Sequence, residues 1–323
     1  MDALARVLDE ARAAALIANE SLASLAACDG ERLDNAVVCV ASEGLRLYFG
    51  AFSTTLKASL MIARPIVALT IGPIQYHGAA RIIRRGTDEY GSARAIYDRK
   101  FPQYAELFES AGNALFEVRP LALWLYETSS GALSRPVLIK DETYFSSLAR
   151  PAESGEASRK GRGAPDMARE IDFLALEREA IALAAANPVA VLATASRGRV
   201  TARSMSFLWS GLEAWFQTSA ASEKWAQVSE SPEVAICAGN MQYEGMAEPR
   251  GGCRESGNEW FLARYPAVHP GSFSRYGALP EERVVLVRPG RIAIWKYEDG
   301  LPCRDLLDPI SRKAWRERVP SLA

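Results

Sequence analysis

From Arg199 the chain reads "RVTARSMSFLW", alternating small or polar residues with apolar ones at the two-residue period of a half-buried strand. Before it, "LEREAIALAAA" is helical in pattern and "PVAVLATA" from Pro188 is a β-rich apolar run. After it, Ser210-Gly211 signals a turn and "LEAWFQT" a further strand. Ala221 to Glu230 then reads as a helix, with Ser222 near the N-cap position. Pro232 resets the chain into "EVAICAG", and "MQYEGMAE" follows as another strand. A similar order occurs earlier: "LRLYFGA", a short helix over Thr54 to Ala63, Pro65, "IVALTIG" and "IQYHGAARII". The opening "MDALARVLDEARAAALIANE" has the spacing of an amphipathic helix. Many antiparallel strands with one short interposed helix predict a small closed barrel, mostly β with helices (an α+β chain), rather than a parallel α/β sheet.

The two stretches are copies of one unit. Shifted by 167 residues, segments 44–80 and 211–247 align without a gap and share 12 of 37 positions. Ordinary composition would give roughly two or three such matches. The identities include Gly44/Gly211, Phe49/Phe216, Lys57/Lys224 and Pro65/Pro232, and the tetrapeptides "QYHG" and "QYEG" at Gln75 and Gln242. Downstream, "VRPLALWLY" from Val118 pairs with "VRPGRIAIWKY" from Val287. Copy one then has a longer helical region, "DEYGSARAIYDRKFPQYAELFESAG", where copy two has the Gly- and Pro-bearing "SGNEWFLARYPAVHPGSFSRYGALP". Between the copies, "RPAESGEASRKGRGAPD" is poor in apolar residues and reads as a linker. The expected boundaries are 1–148 for the first domain, 149–168 for the linker and 169–323 for the second domain.

Composition narrows the function. Among 323 residues the formal net charge is −1, which argues against an electrostatic nucleic-acid binder. No apolar run approaches the roughly 18 residues a membrane helix needs, and Asp2, Asp9 and Glu10 do not suit a signal peptide, so a cytoplasmic location is expected. Five scattered cysteines with no C-x-x-C pair read as reduced thiols, and two histidines leave a His-based metal site or a Ser-His-Asp triad poorly supplied. No metal ligands are therefore assigned.

With its order of strand, Gly-containing turn, strand with an Arg, aromatic strand ending in Thr and Ser-x-Lys opening a helix, the run from Asn187 to Ile236 resembles the pyridoxamine 5'-phosphate oxidase-like family of FMN-binding split barrels. The resemblance covers about residues 170–298, and 20–127 more weakly. It implies two tandem split β-barrel domains forming an intramolecular pseudo-dimer, since relatives pair as two-fold dimers with FMN in the interface. It also implies a phosphate site made of Arg203 on the second strand, Thr218 closing the next, and Ser222 and Lys224 at the helix start, with Gln217 beside them. A phosphate dianion needs such a guanidinium, an ammonium, hydroxyls and the N–H groups of a helix start. Ser204, Met205 and Ser206 would run beside the flavin ring. Copy one departs from the motif: Ala36 stands where Arg203 does and Gly50-Ala51 where Gln217-Thr218 does, although Lys57 is kept. Copy one is therefore expected to be the degenerate partner, covering the ring with Gln75, Tyr76, His77 and Trp124.

Two functions follow from the resemblance. One is an FMN-dependent oxidoreductase acting on a small organic substrate, with NAD(P)H or oxygen as redox partner. The other is a flavin- or haem-binding protein without turnover, serving as carrier, sensor or partner-binding module. Neither involves nucleic acid or a membrane, and both leave open a further pairing into a homodimer. The C-terminal "GLPCRDLLDPISRKAWRERVPSLA" lacks the Arg-x-His ending that pyridoxamine phosphate oxidases use for the substrate phosphate.

Overall fold

The structure is a computed structural model and describes residues 3–109, 112–126, 135–139, 168–299 and 301–318. The chain divides into two compact units, built mainly on its two halves, with residues 197–203 grouped with the first. The N-terminal half runs α1 (Ala3–Asn19), β1 (Leu22–Cys28), β2 (Leu33–Cys39), β3 (Ala41–Glu43), β4 (Arg46–Phe52) and α2 (Leu56–Ala63). It continues with β5 (Ile66–Ile71), β6 (Ile74–Ile82), α3 (Asp88–Lys100), a 3-10 stretch (Pro102–Phe108), β7 (Asn113–Leu125) and β8 (Arg135–Ile139). The C-terminal half opens with β9 (Ala168–Glu170), α4 (Phe173–Ala186), β10 (Val189–Ser196), β11 (Arg199–Ser206), β12 (Leu208–Ser210) and β13 (Glu213–Ser219). Then come α5 (Glu223–Glu230), β14 (Glu233–Ala238), β15 (Met241–Gly252), α6 (Glu259–Val268) and α7 (Pro270–Tyr276). The last elements are β16 (Glu282–Glu298), β17 (Leu301–Asp308) and β18 (Lys313–Arg318). Of the expected linker, residues 149–167 lie outside the described residues.

The architecture is mostly β with helices, in two split-barrel-like domains. The repeat is visible in the strand order. The first sheet runs β2-β1-β5-β6-β7-β4-β3, and the second contains β11-β10-β14-β15-β16, with β13 on β16 and β12 on β13. Strands β3, β4 and β5 and helix α2 begin and end 167 residues before β12, β13, β14 and α5. Gly44 and Gly211, in the turns before β4 and β13, both take the left-handed conformation, at φ +59° and +60°.

The shared tetrapeptide has a structural cause. In each copy its tyrosine points into the barrel, and its hydroxyl donates to two carbonyls of other strands. Tyr76 reaches Leu45 O at 2.9 Å and Val118 O at 3.1 Å; Tyr243 reaches Leu212 O at 2.9 Å and Val287 O at 3.1 Å. The following glycine sits at a β-bulge opposite a proline, Gly78 against Pro120 and Gly245 against Pro289. A Cβ on Gly78 would stand 2.7 Å from Arg119 O and 2.7 Å from the Tyr76 ring; on Gly245 it would stand 2.6 Å from Arg288 O. The bulge lets one long strand serve two partners, since β7 pairs with β4 in its first half and with β8 in its second. Strand β16 does the same with β13 and β17.

Each barrel has its own core. Leu25, Phe49, Tyr76 and Phe116 fill the first, and Leu192, Phe216, Tyr243 and Val285 the second. On the outer side of β4 and β7, Tyr48 and Leu115 pack against Tyr97, Phe101 and Phe108. At the matching place in the second unit, Trp215, Val284 and Leu286 pack against Phe261 and Tyr265 of α6. The Gly- and Pro-bearing segment thus forms two helices, α6 and α7, which meet at His269.

The second sheet also extends beyond the repeat. The hairpin β17-β18 adds to β16 and takes β9 on its far edge. Charges secure this extension: the buried Asp305 receives Arg316 Nε at 2.6 Å and lies 2.8 Å from Lys296 Nζ, which also binds Glu179 of α4 at 2.6 Å. These cations hold the Asp305 carboxyl below its ordinary range, against the opposing effect of burial. Cys28, Cys237, Cys253 and Cys303 are buried free thiols and Cys39 is half-buried. Among the described residues no helix is long and apolar enough to cross a membrane.

Candidate functional site

The corner where β13 passes into α5 gathers the polar groups of the second barrel. Thr218 ends the core-facing row of β13 after Ala214 and Phe216, and its Oγ1 lies 2.9 Å from Ser222 Oγ. Ser222 is the N-cap of α5: with φ −79° and ψ 149° it stays extended, and its hydroxyl accepts from Trp225 N at 3.3 Å. The loop is drawn tight by Ser222 N to Ser219 O at 3.0 Å and by Ala220 N to Glu281 O at 2.8 Å. Lys224, half-buried, occupies the first turn of the helix. One turn on, the buried Gln227 accepts from Thr194 Oγ1 of β10 at 2.5 Å.

Arg203 leaves β11 on the same side as Met205, which packs against the second core, and its guanidinium donates to the hydroxyl of the buried Thr201. Thr194, alternating with Ala190 and Leu192, and Thr218 also emerge on the core-facing side of the sheet. The β13–α5 corner therefore brings together two hydroxyls, a lysine in the first helical turn and a helix N-terminus. This donor set fits a phosphate monoester in kind: each group is a hydrogen-bond donor or a positive charge of the type such an anion requires.

The remaining expected site residues fall elsewhere. Gln217, one position before Thr218, lies on the opposite face of β13 under α6 and α7. Its Nε2 is 3.4 Å from Ser272 O, and Cys253 Sγ is 3.7 Å from its Oε1. Ser204 is exposed; Ser206 is half-buried and hydrogen-bonded to Tyr265. In the first unit, Gln75, His77 and Trp124 share the face of the sheet directed away from the first core, with Gln75 opposite Trp124 in register. The His77 ring stands edge-on to Trp124 at 5.2 Å, and burial pushes its pKa down to about 3, so the imidazole is neutral. Tyr76 requires a correction. It is wholly buried in the first core with its hydroxyl bound to two carbonyls, so it does not join Gln75 and His77 as a ring-covering residue.

One buried charged group on the α6 side of the second sheet was not legible in the sequence. Glu282 begins β16 opposite Ser219 and is only 4% exposed. Burial pushes its pKa up to about 7, against the attraction of Lys224. A carboxylate at a strand start ordinarily reads as solvated, and only the three-dimensional cover over β13 and β16 reverses that.

The equivalent corner of the first barrel is built differently. Thr55 holds the N-cap position of α2 but makes no side-chain cap, its hydroxyl donating instead to Phe52 O at 2.7 Å. Ala51 replaces Thr218, and the buried Ala36 replaces Arg203. Gly50 replaces Gln217, and the Phe108 ring fills the place, 2.6 Å from where a Cβ would stand. Lys57 is buried, where Lys224 is half-buried.

The fold is that of a protein with two split-barrel-like domains. A family model described as pyridoxamine 5'-phosphate oxidase matches residues 176–296, so that segment of the chain is similar to this family. No curated protein matches the chain in sequence. Similar solved structures include a pyridoxamine 5'-phosphate oxidase-related, FMN binding protein from Nostoc punctiforme, 16% identical over 50% of this chain and 100% of that one, with a TM-score of 0.33. ChuZ from Campylobacter jejuni is 15% identical over 48% of this chain and 68% of its own, at 0.38. The heme storage protein HutZ from Vibrio cholerae is 12% identical over 35% and 92%, at 0.33. At such identities and scores none of their ligands transfers to this chain.

Proposed function

We propose that the protein is an FMN-dependent oxidoreductase of the split-barrel type, acting on a small organic substrate, with the flavin phosphate anchored at the β13–α5 corner of the second barrel. The observation that supports this best is the Thr218–Ser222 hydroxyl pair at the N-cap of α5, with Lys224 in the first helical turn. Arg203 would supply the guanidinium for the phosphate, and Lys224 the second positive charge. The two hydroxyls, already 2.9 Å apart, would orient toward the same anion at little further conformational cost. The backbone of Ser204 to Phe207 would line the flavin, with Met205 fixed by the second core. The bound cofactor would supply the hydride or electron transfer, and the chain would hold it, set the polarity around it and exclude water. No acid or base is assigned: His77 is neutral and buried beside Trp124.

The visible spectrum of the purified protein after reconstitution with FMN tests this reading. Flavin bands that bleach with NAD(P)H or dithionite are expected. A Soret band and no retained flavin would replace the reading with haem binding. Flavin retained without any turnover would leave a carrier or sensor.

A further inference from the structure

The same strand pair carries different charges in the two barrels. One step beyond the register pair Ala214–Val287, Glu213 faces Arg288, which binds Glu213 at 2.7 Å and Glu248 at 2.6 Å. One step beyond Leu47–Val118 in the first barrel, Arg46 faces Arg119. Arg81, opposite Glu117, takes the place of Glu248, opposite Leu286. Three guanidiniums thus stand where the second barrel has an acid-base-acid row. The buried Glu117 receives Arg119 Nε at 3.0 Å and also Arg81, which binds Glu89 as well. Arg46 makes no ion pair among the described residues. Like charges directly opposite on neighbouring strands are destabilising, so the Arg46–Arg119 pair calls for an anion.

Both arginines line a cleft of about 570 Å³ between α1, the β3–β4 turn and β7, whose other charged walls are Glu10 and Glu43. Its size is that of a small-molecule site. Glu43 and Arg46 are opposite in register, which sets their Cα atoms about 5 Å apart. No ion pair joins them, because the Tyr48 hydroxyl lies between: it stands 3.5 Å from Glu43 Oε2 and is hydrogen-bonded to Arg46. The Tyr48 ring is fixed in turn against Tyr97, Phe101 and Phe108. The cleft wall therefore presents a facing pair of guanidiniums and, beside them, a carboxylate held apart from both.

We propose that this cleft binds a small zwitterion of the amino-acid or dipeptide class, its carboxylate between Arg46 and Arg119 and its ammonium at Glu43. The ligand carboxylate relieves the repulsion of the two guanidiniums and takes the charge-assisted hydrogen bonds they offer. The ammonium supplies Glu43 with the cation that Arg46 does not. A bare carboxylic acid or inorganic phosphate satisfies the arginines alone and meets repulsion from Glu43 and Glu10. The second barrel has no counterpart, since Glu213 closes its row on itself. Every residue of the cleft belongs to the first unit, and the inference does not rest on the FMN reading.

The test is calorimetric titration of the full chain with L-leucine and with alanyl-leucine, which separates a free amino acid from a peptide as the source of the zwitterion. Binding of either supports the proposal. For the ligand that binds, acetylating its amine or amidating its carboxylate should each weaken binding by about ten- to a hundredfold. Arg46→Glu, which copies the ion pair of the second barrel, should lower affinity by at least as much, and Arg46→Ala serves as a second variant at this exposed position. Glu213→Ala, in the second barrel, should leave binding unchanged. Three outcomes overturn the proposal: no binding of either ligand up to about 10 mM, capped forms that bind as well as the zwitterion, or affinity unaltered in both Arg46 variants.

Discussion

At the end of β13 the second barrel presents Gln217 and Thr218; at the end of β4 the first presents Gly50 and Ala51. These strands occupy the same place in two sheets of the same order, bounded by the same turn glycine and the same tyrosine anchor. What differs is the filling. The second barrel ends its strand in hydroxyls and covers it with helices that leave a buried carboxyl, Glu282, and an amide, Gln217. In the first barrel Ala51 lies in the core at the place of Thr218, and on the outer face the Phe108 ring takes the place of Gln217, against Tyr97 and Phe101. Duplication therefore kept what the frame needs, which is tyrosine, bulge glycine and proline, and left free what a ligand would need. A buried polar corner that binds nothing has an unmet desolvation cost, and replacing its threonine by Ala51 removes that cost.

That comparison can be broken most severely at the anion corner. Arg203→Ala with Lys224→Ala removes both positive charges proposed for the phosphate. Each charge-assisted contact contributes on the order of 1.5–3 kcal/mol, so the pair should weaken FMN binding by about 10²- to 10⁴-fold in a fluorescence titration. Lys57→Ala, at the equivalent place in the first barrel, should leave binding unchanged. Next comes Phe108→Ala, which empties the aromatic filling on the outer face of the first barrel. It should cost about 3–5 kcal/mol in urea unfolding while FMN affinity stays as it was.

Smaller effects sharpen the same contrast. Gly78→Ala and Gly245→Ala should each cost about 1–3 kcal/mol, and nearly equally, because both press a Cβ against a carbonyl oxygen of the facing strand. Ser222→Ala should cost about 1 kcal/mol through the lost cap, and Thr55→Ala less, since its hydroxyl does not cap α2. The titrating groups of the units pull stability in opposite directions. The folded pKa of His77 lies below its ordinary 6.5, at about 3, so its contribution is present above 6.5 and lost as pH falls through that interval. Glu282 has a folded pKa of about 7 against an ordinary 4.5, so its contribution is present below 4.5 and lost as pH rises to 7. Denaturant midpoints measured across pH for His77→Phe and Glu282→Gln should each lose one of these slopes.

Much of the frame was legible in the chain, because the repeated positions are those where a single residue type satisfies the backbone geometry. Tyr76 and Tyr243 satisfy two carbonyls, Gly78 and Gly245 allow the close approach, and Pro65 and Pro232 place the carbonyls that Ala80 N and Ala247 N reach at 2.7 Å. That Thr218 closes a strand and Ser222 caps the next helix was legible for a similar reason, since a cap and its strand end are local in sequence. Adjacent residues were the weak point. Gln217 was grouped with Thr218, and Tyr76 with His77, although strand alternation sends neighbours to opposite faces. The β17-β18 hairpin stayed hidden because ion pairs around Asp305, rather than an apolar alternation, hold it. Glu282 stayed hidden because nothing local distinguishes a buried carboxyl from a solvated one.

The stoichiometry of FMN on the full chain tests the central claim most directly, read by titrating apoprotein at a concentration well above the dissociation constant. One flavin per chain, abolished by the Arg203→Ala and Lys224→Ala pair and untouched by Lys57→Ala, is the predicted result. Two flavins per chain, or one whose retention depends on Lys57, would contradict the division of the two barrels into a binding copy and a non-binding one.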